Sequence, residues 1–327
     1  MRVLVTGGAG YIGSHACKAL AAAGHEPVTF DSLSQGHRWA VRHGPLEVGD
    51  VTDEARLAEV IARWRPEAVM HFAALISVGE SVAQPELYYR TNVAGAVAVL
   101  SAMRAAGIDR FVFSSTCAVH GPPASLPITE DMAYGPISPY GRSKAMVEQI
   151  LADCAGAWGL RCAALRYFNA SGADPDGELG EAHDPETHLI PLVLAAARDG
   201  TTLILNGDDY ATPDGTCVRD YIHVADLARA HVLALDRLAQ ADGFRAYNLG
   251  VGQGFSVKEI IEAARAVTGK TIAVEIGPRR PGDPPSLYAD PSRAAAELGF
   301  TAGASSVRTI VETAWKWMID PPPYAAA

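Results

Sequence analysis

The run RVLVTGGAGYIGSHACKALAAAG, residues 2–24, changes character twice. Arg2 to Thr6 is short, apolar and valine-rich, as a buried strand is. The stretch from Ser14 to Ala23 is alanine-rich and stops at Gly24, as a helix does. Between them stand Gly7, Gly10 and Gly13, evenly spaced. Glycine there permits a tight turn and lets the backbone approach a pyrophosphate closely, whose charge the free amides of the following helix then favour. A second apolar run, Glu26 to Phe30, follows and ends at Asp31. A carboxylate at that point accepts hydrogen bonds from a ribose diol and repels a 2′-phosphate, so the pattern favours NAD over NADP.

The alternation continues outward. Gly49-Asp50 closes a further strand, Glu54 to Trp64 is helical in character, AVMHFAAL (68–75) is a strand, and a helix begins after Asn92. Strands separated by helices make a parallel sheet covered on both faces. The expected class is α/β, a Rossmann-type doubly wound parallel sheet with a smaller, mixed C-terminal substrate domain. After Asn169 the pattern breaks into GADPDGELGEAHDPETH (172–188), an irregular loop by composition. Sheet and helix return at VRDYIHV (218–224) and from Asp226 to Leu238. The expected division is 1–169 plus about 217–248 for a cofactor domain, and about 170–216 plus 249–327 for a substrate domain.

Composition narrows the partners. The chain has 327 residues, 49% hydrophobic and 20% charged, enough to bury a full core. Lys plus Arg total 27 against 37 for Asp plus Glu, a net charge of −10, which argues against general attraction to nucleic acid or an anionic membrane. Anionic substrates then require local arginines. The five cysteines (Cys17, Cys117, Cys154, Cys162, Cys217) are scattered without a Cys-x-x-Cys pair, which fits a reducing cytoplasm better than a disulfide framework or a zinc site. No basic, apolar leader precedes the first motif and no apolar run reaches membrane-spanning length, so folding is expected to start at residue 2. His183, Asp184, Glu186 and His188 crowd one stretch, but Pro185 interrupts it and the spacing matches no common site. A loop without metal is expected there.

The chemistry concentrates in SPYGRSKAMVEQILAD (138–153). On a helix opened by Pro139, Tyr140 and Lys144 share a face. An ammonium beside a phenol in a partly dry pocket stabilises phenolate, and about 4 kcal/mol of such help brings a tyrosine from near ~10 towards neutrality. A phenol so tuned is a general base for an alcohol. Upstream, RFVFS (110–114) is a strand that runs into Ser114, Ser115 and Thr116, at the end where such sheets hold ligands. Thr116 is placed to bridge a substrate hydroxyl and the Tyr140 oxygen. The helix NVAGAVAVLSAMRAA (92–106) is apolar on almost every side, and a second subunit is the expected cover, giving a homodimer.

TGGAGYIGSH, HFAA, VGESV, FSST, SPYGRSKAMVEQIL, LRYFNASGA and VRDYIHVADLA together resemble the sugar-nucleotide epimerases of the extended short-chain dehydrogenase/reductase family, from residue 1 to about 320. The resemblance implies an NAD held through the catalytic cycle and a UDP-sugar in the cleft. It further implies inversion at carbon 4 of a UDP-hexose, UDP-galactose or UDP-glucose, through a transient 4-keto sugar. Its catalytic residues would be Thr116, Tyr140 and Lys144. Around the cofactor it implies Gly7, Gly10, Tyr11, Ile12 and Gly13 in the first turn, and Asp31 and Ser32 after the second strand. Asp50 and Val51, then Phe72, Ala73 and Ala74, follow the next ones. Asn92, Ser114 and Tyr167 complete the set with Tyr140 and Lys144. For the substrate it implies Asn169, Leu189, Asn206, Arg219, Arg280 and Asp283 beside Thr116 and Tyr140, the arginines offering planar forks to phosphate oxygens. The alternative for Arg279 and Arg280 is a pair of ordinary solvated charges.

Departures from the family pattern carry expectations of their own. The dehydratases and decarboxylases of the family place carboxylates just after the catalytic hydroxyl, whereas Cys117-Ala118 follow Thr116. Epimerisation is therefore favoured over dehydration or decarboxylation, and the retained tyrosine and lysine disfavour a non-catalytic NAD sensor. Ile76 stands where many members have a lysine, and His188 where many have an asparagine. Leu287 occupies a position where tyrosine excludes and a small residue admits N-acetyl sugars, so poor conversion of UDP-GlcNAc is expected. A UDP-pentose, xylose or arabinose, remains the alternative substrate.

Overall fold

The computed structural model describes residues 1–280 and 283–325. The first half runs β1 (Arg2–Thr6), α1 (Tyr11–Ala22), β2 (Glu26–Asp31), β3 (Leu46–Val48), α2 (Glu54–Trp64), β4 (Ala68–His71), α3 (Val78–Ala83), α4 (Pro85–Tyr88), α5 (Gly95–Ala106), β5 (Arg110–Ser114), α6 (Pro139–Trp158) and β6 (Arg161–Arg166). Then come β7 (Asn169–Ser171), α7 (Leu189–Asp199), β8 (Thr202–Asn206), β9 (Val218–Arg219), β10 (Tyr221–His223), α8 (Val224–Arg237) and β11 (Phe244–Asn248). The chain closes with β12 (Phe255–Ser256), α9 (Val257–Thr268), β13 (Ala273–Gly277), β14 (Ser286–Leu287), α10 (Ser292–Leu298) and α11 (Val307–Ile319).

Seven of these strands form one parallel sheet in the order β3-β2-β1-β4-β5-β6-β11. The class expected from the glycine turn and the βα alternation is the one observed. Strand periodicity explains why both faces are covered. Val3 and Val5 point into a core with Leu20 of α1 and Leu227 and Leu235 of α8. Leu4 points the other way, to Leu57 of α2, Met103 of α5, and Val147 and Leu151 of α6. The chain passes from β1 out to β2 and β3 and then returns to β4 on the opposite side. That reversal opens a crevice beyond the carboxyl ends of β1 and β4, where such sheets hold ligands.

Two boundaries differ from the sequence expectation for physical reasons. AVMHFAAL is strand only to His71, because Phe72 and Ala73 both turn to donate their N–H groups to the Thr6 carbonyl, at 2.8 and 3.1 Å. The helix expected from Asn92 begins as a π-helical stretch, Tyr89–Ala94, before α5, and it is not covered all round. Val97 is 42% exposed and, with Met146 of α6, borders a shallow apolar hollow lined also by Tyr89, Val93 and Ala94.

Residues 172–188 are irregular apart from turns, as their composition indicates. Behind them α7, α9 and α11 share a separate core of Ile190, Val193, Ile260, Ile261, Ile310 and Val311. Ala294 and Leu298 of α10, with Phe300, rejoin the core of the large sheet. Among the described residues no helix is long and apolar enough to cross a membrane.

Candidate active site

The cofactor side is built first by the glycine turn. Gly7 has φ +74°, and a Cβ there would sit 2.6 Å from the Ala73 amide nitrogen. A Cβ on Gly13 would collide with the Gly7 carbonyl oxygen. Only glycine lets the turn close against both β4's end and α1. Gly10 caps α1 without any side-chain bond, so the amides of Tyr11, Ile12 and Gly13 keep the donor capacity that suits an anion. Asp31, at the end of β2, accepts from the Ala9 amide at 2.9 Å and the Leu33 amide at 2.8 Å, which fixes its carboxylate beside the turn. Carboxylate oxygens retain lone pairs for a ribose diol. Ser32 is exposed, with its hydroxyl 3.0 Å from that of Ser34. After β3, Asp50 accepts from Thr52 and Val51 is buried; after β4, Phe72 and Ala73 border Gly7, and Ala74 follows them in the chain. These residues fit NAD, and the cradle that an added Cβ would fill is the observation that says so. Asn92 is the exception: its amide is engaged with the Leu75 backbone and the Ser143 hydroxyl, so it ties loop to helix.

The reacting groups meet at the carboxyl end of β5. Ser138 caps α6 by accepting from the Gly141 amide, and Pro139 pre-sets its first turn, so Tyr140 and Lys144 project from adjacent turns of one face. Lys144 is buried and donates to the Ser114 carbonyl at 2.8 Å, with its ammonium 4.8 Å from the centroid of Phe113. Ser114 pairs its hydroxyl with that of Tyr167 at 2.5 Å. Thr116 caps the following short turn by accepting from the Ala118 amide, and its hydroxyl favours ionisation of the neighbouring Tyr140.

Electrostatics depart from the sequence expectation. The ammonium was expected to draw the phenol towards neutrality; instead burial pushes Tyr140 up to about 12, against the smaller help from Thr116. Burial also brings Lys144 down to about 7, with Glu148 opposing the fall. A dry site penalises both charged forms, and the ammonium is turned to a backbone carbonyl. Cys117 is fully buried and its thiol is pushed well above its ordinary value, so no acid stands after Thr116.

Sequence reasoning missed the support beneath these groups. Glu148 lies one turn beyond Lys144, fully buried, and accepts from Arg166 Nε at 3.0 Å, from Tyr134 Oη at 2.7 Å and from Ser115 Oγ. Arg166 also reaches His120 Nε2 at 3.1 Å and the Glu130 carbonyl at 3.2 Å. The four-residue step from Lys144 to Glu148 was a visible signal. Ser115, between Ser114 and Thr116, is held by this pair, so the three hydroxyls split into two facing the site and one anchoring it.

The substrate side joins residues far apart in sequence. Asn169 donates to the Asp220 carbonyl at 2.9 Å, linking the reacting end to β9 and β10. Arg219 pairs with Asp283 at 3.0 Å. With its oxygen turned towards Arg280, the Asn206 amide accepts from Nε at 3.1 Å and Nη2 at 3.3 Å. Arg279 instead pairs with Asp209 at 2.6 Å over the Tyr210 ring, an outward, structural arrangement. Leu189 opens α7 beside a hollow lined by Asn169, Ser171, Glu181, His188 and Tyr221. Leu287 sits in β14, in register with Arg219. Ile76 is 49% exposed and offers no charge. Within the irregular loop, His183, Glu186 and His188 converge with Glu181, while Asp184 is not among them.

Comparison with known proteins adds to this geometry. Residues 3–250 match the model of the NAD dependent epimerase/dehydratase family. A UDP-glucose 4-epimerase of Rhizobium leguminosarum bv. trifolii is 52% identical over 318 residues, 96% of each chain. The crystal structure of UDP-glucose 4-epimerase from Brucella ovis in complex with NAD superposes with a TM-score of 0.93 at 55% identity, covering 96% of this chain and 97% of that one. A Stenotrophomonas maltophila UDP-glucose 4-epimerase structure, with bound NAD and formylated UDP-arabinopyranose, gives a TM-score of 0.94 at 42% identity, covering 97% of both chains.

Proposed function

The chain belongs to the NAD dependent epimerase/dehydratase family, and from that premise we infer that it inverts carbon 4 of a UDP-hexose, interconverting UDP-galactose and UDP-glucose. It is an NAD-dependent isomerase. The observation that carries the reading is the convergence of Thr116, Tyr140 and Lys144 at the end of β5, beside a glycine cradle shaped for a pyrophosphate.

Gly7, Gly10, Gly13 and Asp31 would hold NAD, which when bound would supply the acceptor and donor for the carbon-4 hydrogen. Tyr140 takes the proton of the 4-hydroxyl and later returns it. Thr116 bridges that hydroxyl and the phenol, an arrangement its closeness to Tyr140 supports. Lys144, fixed by the Ser114 carbonyl, favours phenolate in its charged form, which burial makes the minor form above about pH 7. Arg219, Arg280, Asp283 and Asn206 anchor the UDP portion, and Asn169 and Leu189 line the path between anchor and reacting carbon. Binding energy from UDP lets the sugar be held loosely enough to present either face. Cys117, buried, and Ala118 after Thr116 leave no acid and base for dehydration.

The exposed apolar strip of α5 and α6, with Val97 42% and Met146 41% exposed, supports a homodimer in which a second copy covers it. Light scattering on the purified protein tests this. All five cysteines are free, which supports residence in the cytoplasm.

The function is tested with purified protein and no added cofactor: UDP-galactose is supplied, UDP-glucose is followed, and the near-ultraviolet spectrum is recorded for bound NADH. Conversion is expected. Failure with added NAD, followed by failure on UDP-xylose and UDP-arabinose, would overturn the assignment as a 4-epimerase.

A further inference from the structure

Four side chains of the loop before α7 turn their ligating atoms into one small volume. The donors of Glu181, His183, Glu186 and His188 all lie within 4.8 Å of one another. Both imidazoles present the same edge, Nδ1. From His188 Nδ1 the distances are 2.6 Å to Glu181 Oε1 and 3.3 Å to Glu186 Oε1. From His183 Nδ1 they are 3.1 Å to Glu181 Oε1 and 3.8 Å to Glu186 Oε2. A tetrahedral ion with bonds of about 2.0–2.2 Å requires neighbouring ligand atoms about 3.3–3.6 Å apart. The observed edges straddle that range, from 2.6 Å between His188 and Glu181 to 3.8 Å between His183 and Glu186, so an entering ion has to spread the closest pair and draw in the widest.

We propose that these four residues form a structural site for a divalent zinc-type ion. Two imidazoles and two carboxylates suit Zn2+ and its first-row neighbours, whereas Mg2+ and Ca2+ take oxygen ligands alone. The ligands are held from outside, as metal ligands usually are. Glu186 Oε1 accepts from the Thr187 and His188 amides at 2.7 and 2.8 Å. The Glu181 carbonyl accepts from Trp317 Nε1 at 2.9 Å, and His37 Nε2 lies 2.8 Å from the Ala182 carbonyl. The His183 ring stands edge-on to Tyr11, whose hydroxyl donates to the Gly172 carbonyl at 2.6 Å.

The placement gives the ion its role. Tyr11 belongs to the glycine turn, and His188 immediately precedes Leu189 and faces the hollow with Asn169 and Tyr221. An ion bound by four protein ligands is closed to chemistry, and it pins the loop that joins the cofactor cradle to the sugar-nucleotide side. The inference uses no step of the proposed reaction and stands or fails separately from it.

The test uses the full-length protein, stripped with a chelator and dialysed against Zn2+ alone or Mg2+ alone. The wild type is expected to bind one Zn2+ per chain, to gain thermal stability on doing so, and to ignore Mg2+. His43→Ala, which removes a histidine that pairs with Glu178 at 3.4 Å outside the four-residue cluster, is expected to bind Zn2+ as the wild type does. The double variant His183→Ala/His188→Ala and the conservative Glu181→Gln are expected to bind at least tenfold more weakly and to lose the thermal gain. Circular dichroism of the metal-free variants checks that they fold. Co2+ added to the wild type is expected to give the intense visible bands of tetrahedral coordination, a readout independent of any variant. A wild type that binds no more Zn2+ than the double variant, or a pale octahedral Co2+ spectrum, would overturn the site.

Discussion

Glu148 and Arg166 form an ion pair with both side chains almost wholly out of solvent, 0% and 3% exposed, directly behind the residues of the reacting centre. Removing one partner of such a pair strands the other charge in the interior, at a cost of about 3–5 kcal/mol. Glu148→Gln is therefore expected to lower the denaturant-unfolding free energy by that order, and Glu148→Gln/Arg166→Met by less than the single change. Equal or greater loss in the double variant would show that the charges are not coupled in this way.

Lys144 offers a pH signature. Its folded pKa of about 7 lies below the ordinary value near ~10.4, so between these pH values the unfolded chain binds the extra proton. Stability must then rise with pH across that interval, because the penalty of burying an ammonium is present below pH 7 and relieved above it. The Tyr140 phenol, raised to about 12, acts in the opposite sense but only above the ordinary tyrosine range near ~10. Lys144→Met, which removes the titration and keeps the volume, should flatten the rise between about pH 7 and 10. Unfolding curves at several pH values measure it, and parallel profiles for the two proteins would refute the assignment.

Tyr140→Phe is expected to lower turnover by about 10²–10⁴, the usual contribution of a positioned acid or base, while UDP affinity changes little. The distinction follows from the partners of the two groups: the phenol faces Thr116, whereas Arg219 pairs with Asp283 and Arg280 with Asn206. Turnover near wild type would remove Tyr140 from the chemistry.

Gly13→Ala tests the cradle. Its new Cβ would meet the Gly7 carbonyl, a backbone atom that cannot swing aside, so the turn must shift. The expected result is at least a tenfold fall in NAD retained through purification, with the far-ultraviolet spectrum preserved. Gly24→Ala, where a Cβ meets nothing but φ is +81°, should lose a little stability and no cofactor.

These contrasts also mark what the chain discloses by itself. The sheet was legible because the short apolar run at Arg2 to Thr6, the glycine turn and the alternation of such runs with helical stretches are local patterns. Tyr140 and Lys144 were legible because a helix fixes which residues share a face. The pairs Glu148–Arg166, Arg219–Asp283 and Asn206–Arg280 were not, since each is closed by tertiary folding and leaves no periodic trace. The convergence of Glu181, His183, Glu186 and His188 was hidden for the same reason: an irregular backbone can gather side chains at spacings no helix or strand would use. Local pattern also gave the wrong sign for Tyr140, because proximity to Lys144 was visible in sequence and the depth of burial was not.

Leu287 governs the last prediction, the range of sugars. It lies in β14 in register with Arg219, the residue proposed above to anchor UDP, so the same strand pair positions both. A leucine fills more of that space than a small residue and less than a tyrosine. An N-acetyl group brought against it must either be excluded or displace the strand, and a misfit of this size in a packed pocket costs about 1–3 kcal/mol. UDP-GalNAc is thus expected to show a specificity constant at least tenfold below that of UDP-galactose, and UDP-GlcNAc to be converted correspondingly poorly. Leu287→Ala should narrow the gap by raising the N-acetyl substrates while leaving UDP-galactose largely unchanged. Comparable constants for UDP-galactose and UDP-GalNAc in the wild type would show that Leu287 does not bound the sugar pocket.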